Sequence, residues 1–127
     1  MKRFGLVVIL SGFAALAGLS VPTAQAAGKC GDKGQPPCPL QGWMETNVQG
    51  PMEKGDLKKV AESLEKAARF APVADWNKGD KSWEKTAKAG AAAAKAGDKK
   101  ALKASCKTCH KAWRKEYKKS HRERAVK

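Results

Sequence analysis

Past its first 26 residues the chain is short of almost everything that fills a protein core. That stretch has no isoleucine, a single phenylalanine (Phe70) and a single tyrosine (Tyr117). Its large aliphatics are only Leu40, Leu57, Leu64, Leu102, Val48, Val60, Val73 and Val126. Runs of alternating apolar and polar residues are also missing, so nothing reads as a β-strand and an all-α fold is expected. Acidic residues are scarce, with 12 Asp and Glu against 26 Lys and Arg. Alanine is plentiful, but each buried methylene contributes only about 0.8 kcal/mol. A domain of this size with so thin a core is marginal unless something else fills it. Tryptophans at 43, 76, 83 and 113 help, and a large flat apolar cofactor would help more.

The missing aliphatics are concentrated at the start. Lys2 and Arg3 precede an apolar run over 4–19, and "AQA" at 24–26 supplies a small-x-small cleavage pattern. Residues 1–26 therefore read as a secretory signal peptide and 27–127 as a single mature domain. The apolar run has 16 residues, short of the ~20 that a membrane span needs. No integral membrane association is expected after cleavage. Lys29, just before Cys30, is the wrong neighbour for a lipidated cysteine. The leader takes two positive charges with it, leaving +12 over 101 residues. Such a surface favours acidic partners and salt-dependent encounters. The Lys/Ala-rich stretch "AKAGDKKALKASCK" would suggest nucleic-acid binding in a cytosolic chain. Export to the periplasm argues against it, and no nucleic-acid partner is expected.

Four helical segments are expected. Residues 28–37 form a Gly/Pro loop, and Pro39 opens a first helix bearing Leu40, Trp43, Met44 and Val48. Gly50-Pro51 should leave that helix short or kinked. Asp56 caps a second helix with apolar positions at 57, 60, 61, 64, 67, 68 and 71, ended by Pro72. A connector over 71–82 leads to a third segment, about 82–96, whose Ala87, Gly90 and Ala94 allow a neighbour to approach closely. Gly97-Asp98 stops it and caps the next. The fourth helix, about 99–120, carries Leu102, Cys106, Cys109, Trp113 and Tyr117 in one stripe. Short connections between four segments favour an antiparallel four-helix bundle.

The chemistry concentrates in "CKTCH" at 106–110. On a helix, positions i, i+3 and i+4 project from one side. Cys106 and Cys109 can then form thioethers along one edge of a porphyrin while His110 ligates its iron. C-x-x-C-H is the sequence sign of c-type haem attachment, and an export signal is its expected companion. Three alternatives are weaker: a zinc site, a redox dithiol, and a buried histidine beside an incidental disulfide. A zinc site would join this pair to Cys30 and Cys38, but the spacing of that first pair is loose and exported thiols oxidise. A thioredoxin-like dithiol would follow a strand, and here a helix surrounds the motif. Cys30 and Cys38 read instead as a disulfide closing the Gly/Pro loop, contributing on the order of 2–3 kcal/mol.

With the motif near the end of a helical, exported chain, "CKTCHKAWRKEYK" (106–118) resembles the last helix of class II c-type cytochromes, the cytochrome c-prime group. The resemblance covers roughly 39–120 and is strong only over the last helix. It implies an antiparallel four-helix bundle holding one covalent haem c near one end. Trp113 and Arg114 stand where that family has a cofactor-side aromatic and arginine. Low-spin members place a methionine from the first helix on the sixth iron position, in a pattern like Arg-Gln-x-x-Met. "LQGWM" at 40–44 matches it as Gln41 and Met44, with Leu40 replacing the arginine. Read from the residues alone, Met44 is equally a core filler. Met52 is a rival ligand, and His121, in the basic tail, reads as a solvated group.

The expectation is a mono-haem electron carrier, not an enzyme, cycling Fe(III)/Fe(II) between acidic redox proteins. The alternative is a five-coordinate haem protein that binds NO or CO. The resemblance also implies a possible homodimer through the first two helices.

Overall fold

A computed structural model describes residues 30–127; the expected signal peptide, 1–26, lies outside the described residues. Helix formation starts at Pro39, whose fixed φ and missing N–H suit a first turn. Helix α1 (Pro39–Met44) runs into a π-helical turn (Glu45–Gln49) and on into α2 (Gly50–Glu53). The expected break at Gly50-Pro51 is thus replaced by a wide turn just before it. The Gly50 N–H donates to the carbonyl of Glu45, five residues back. A π turn absorbs the register change that a proline imposes on the preceding helix. Helical character therefore continues from 39 to 53.

Asp56 caps α3 (Leu57–Ala67), its carboxylate accepting from the Lys59 N–H at 3.0 Å. The helix ends four residues before position 71, earlier than its apolar spacing suggests. Tight bonds from Arg69 N–H to Lys66 and from Phe70 N–H to Ala67 close it. Pro72 disfavours helix at Ala71, and the early stop swings Phe70 against Trp43, edge to face at 4.8 Å. The connector contains a 3₁₀ turn (Ala74–Asn77) that buries Trp76.

Ser82 caps α4 (Trp83–Lys95), accepting from the Lys85 N–H. Gly97, at φ 72°, ends it: its N–H bonds to Ala94 and the next N–H, of Asp98, to Ala93. Asp98 then caps α5 (Lys99–Ser120) by accepting from the Ala101 N–H. The boundaries expected for these two helices hold to within a residue or two.

The helices pack as neighbours in chain order. The π turn and α2 lie on α3, α3 on α4, and α4 on α5. No Cα of α1, the π turn, α2 or α3 comes within 8 Å of a Cα in α5. The first and last helices therefore meet through side chains only. Close packing elsewhere rests on small residues. A Cβ built on Gly90 would lie 2.6 Å from Ser105 Oγ and 3.0 Å from Leu64 Cδ1.

Two buried clusters form the core. One holds Val48, Val60, Ala61, Leu64, Ala91, Ala94 and Leu102; the other holds Leu40, Trp76 and Trp83. Trp43 and Met44 pack against both. Six of the fourteen buried apolar residues are alanines, so the core is as thin as the composition suggests. Cys30 and Cys38 are joined, with Cα atoms 4.8 Å apart. The loop they close is tied to the far end of the chain, where Arg122 makes a two-pronged bridge to Asp32. The described residues include no strand and no helix long and apolar enough to cross a membrane. The fold is all-α.

Candidate functional site

The middle of α5 carries the expected motif. Leu102, one turn before Cys106, is fully buried and fixes which side of the helix faces inward. One turn on, Cys106 packs against the first cluster, and Cys109 packs against the second. Both thiols are free and half-buried. His110 follows at the exposed edge of the same stripe.

Burial sets the thiol chemistry. It pushes the Cys106 pKa up, opposed by the hydroxyl of Ser105 beside it. It pushes Cys109 up to about 11, with help from the neighbouring Cys106. Both sulfurs are accordingly protonated near neutral pH. At His110, partial desolvation and then the Arg114 guanidinium lower the pKa. That favours the neutral imidazole, the form that ligates a metal.

Met44 lies at the end of α1. It is half-buried and touches the two clusters on which Cys106 and Cys109 rest. Met52 reaches the first cluster only. Between the two rivals, Met44 is the one that shares surroundings with both cysteines. No Cα of α1 lies within 8 Å of one in α5, and side chains of both helices pack on the second cluster. Two free thiols at i and i+3 with an imidazole at i+4 are the donor set that a covalent haem would use.

Trp113 is half-buried and stacked on Trp76, with centroids 4.7 Å apart and planes at 20°. Its indole N–H donates to the carbonyl of Lys81. Arg114 is exposed, and among the described residues it acts on His110 through its charge. Tyr117 stacks on Trp83 at 6.0 Å, and burial raises its pKa. His121 is not a solvated group: it stands edge-on to Trp76 at 5.4 Å and is half-buried. A tail wrapped back over the second cluster explains the difference. Arg124 donates to the carbonyls of Phe70 and Ala71, and Val126 packs on the cluster.

Sequence reasoning missed Trp76 as the hub of this aromatic group. It sits in "APVADWNKGDKS", a connector without apolar period, and only its being a lone tryptophan among polar residues marked it. The zinc alternative loses half its ligands, because Cys30 and Cys38 are bonded to each other. Among the described residues no cluster of three or more His, Cys, Asp or Glu is placed to hold a metal ion. Two clefts open elsewhere, one of about 100 Å³ under the tail beside Phe70 and Val126 and one of about 810 Å³ between α3 and α4. Neither is lined by Cys106, Cys109 or His110. Comparison of the chain with protein-family models, curated proteins and solved structures gives no match.

Proposed function

We propose that the chain is an exported, periplasmic mono-haem c-type cytochrome of the cytochrome c-prime type, an antiparallel four-helix bundle that carries electrons. The observation that carries this reading is C-x-x-C-H on α5, with both thiols free and half-buried against the two core clusters that Met44 of α1 also touches. Cys106 and Cys109 tether the haem as thioethers. His110 would ligate the iron through its imidazole, and Met44 would supply a thioether ligand. Trp113, held by its stack on Trp76, walls the site one turn beyond the motif, and partial burial, then the Arg114 guanidinium, lower the His110 pKa. The haem supplies reversible Fe(III)/Fe(II) chemistry, and a Met/His pair raises its potential relative to two nitrogen ligands. With His110 and Met44 both holding the iron, the group would serve electron transfer. The basic surface selects acidic redox partners in weak, salt-sensitive encounters.

The visible spectrum tests the ligand set. The ferric protein should show the weak far-red band of sulfur-to-iron coordination. Met44→Ala should abolish that band, and Met52→Ala should leave it intact. The reverse pattern would move the ligand to Met52. High-spin bands in the unmutated protein, with ready CO binding on reduction, would replace the electron carrier by a five-coordinate gas-binding protein.

A further inference from the structure

Helix α5 has 22 residues and packs closely on α4 alone. Along its outer side run Lys100, Lys103, Lys107, Lys111, Arg114 and Lys118, at successive steps of 3, 4, 4, 3 and 4. Those steps put all six on one helical face, about 27 Å from end to end at the α-helical rise. Every one is exposed. None forms an ion pair with any other described residue, although Lys78, Lys85, Lys88, Lys95 and Arg122 all do. The only acid on the helix, Glu116, falls outside that series and accepts from Ser120. His110, four residues before Arg114 and seven after Lys103, borders the same face.

Lysines are normally interspersed with acids on a helix surface, where i, i+4 pairs offset the repulsion. α4 does this with Glu84 and Lys88. α5 leaves six like charges uncompensated on a single face, which weakens the folded state by self-repulsion and gains nothing internally. The exposed large hydrophobics of the described residues amount to Val73 alone, outside α5. The face thus offers a rigid row of charge without an apolar anchor. That suits brief, electrostatic contact and gives no means of inserting into lipid.

We propose that this face of α5 is the docking surface for an acidic protein. The partner's negative charge follows from this face; that it is a protein acting as electron donor or acceptor rests on the cytochrome reading. The partner presents an elongated row of Asp and Glu side chains, and binding brings it to the His110 edge of the site.

The test uses the full mature chain and poly-L-glutamate as the acidic probe, in low salt. Lys103→Gln/Lys107→Gln/Lys111→Gln is compared with Lys54→Gln/Lys58→Gln/Lys59→Gln, a variant of equal charge altered at exposed positions at and before the start of α3. Glutamine keeps helix propensity close to that of lysine, and circular dichroism checks that both variants fold. The α5 variant should bind about tenfold more weakly, or worse, while the control loses about threefold or less. Equal losses in the two variants would overturn the proposal, since net charge and not this face would govern binding. It would equally be overturned if the α5 variant lost binding to phosphatidylglycerol vesicles while poly-L-glutamate bound neither protein. Absorption spectra of the same samples report the haem separately, so a colourless protein that still depends on α5 would defeat the cytochrome reading and leave the surface standing.

Discussion

Gly90 sets how near α4 comes to both α3 and α5. Any Cβ there would press on Ser105 Oγ and Leu64 Cδ1, so Gly90→Ala should destabilise the protein by about 1–3 kcal/mol in urea unfolding. Ser105→Ala in the same chain should recover part of the loss by removing the nearer atom. Additive penalties would show that the close approach is not what Gly90 provides. At Cys109, burial holds the thiol protonated well above its ordinary range. In chain not yet carrying haem, alkylation of Cys109 at pH 8 should run roughly tenfold to a hundredfold slower than for an unstructured thiol. The linked effect on stability has a definite sign. A pKa raised on folding favours the folded state below the ordinary thiol value, near 8.5, and that contribution is lost as pH rises towards about 11. Apoprotein stability should therefore decline through that alkaline window. A decline that persists unchanged in Cys109→Ser would show that Cys109 is not its source.

Helix ends were the most legible elements, because capping is local chemistry. Asp56, Ser82 and Asp98 each accept the N–H three residues on, and Gly97 closes α4 with the left-handed geometry that glycine allows. Asp98→Ala should cost about 1 kcal/mol, seen as a lower urea midpoint with the slope unchanged. What escaped the sequence depends on distant contacts. The π turn answers Pro51 within the helix, where a kink was expected; the early end of α3 goes with Phe70 turning onto Trp43. Trp76 and the tail have no periodicity to betray them, since Arg122 finds Asp32 and Arg124 finds the Phe70 carbonyl only in the fold. The motif itself was fully legible, being contained within five residues of one helix. The tail makes its own prediction. Asp32→Ala should release it, and trypsin should then cut after Arg122 and Arg124 faster than in the parent, with no change in the rate of cleavage elsewhere.

Across the whole molecule, a core rich in alanine among the described residues is combined with a strongly basic sequence. Under the proposed reading, haem would supplement this core and acidic partners would meet the basic surface. A ligand bound only by the folded state adds its binding free energy to stability. Chain without haem should accordingly unfold at lower urea, and less cooperatively, than the loaded protein. The central claim is that Cys106 and Cys109 hold one haem covalently, and intact-mass spectrometry of the exported, denatured protein tests it most directly. The account predicts residues 27–127 plus the mass of one haem, with no titratable thiol, and bare polypeptide for Cys106→Ser/Cys109→Ser. An unmutated chain at its bare mass, with two free thiols after unfolding, would contradict it.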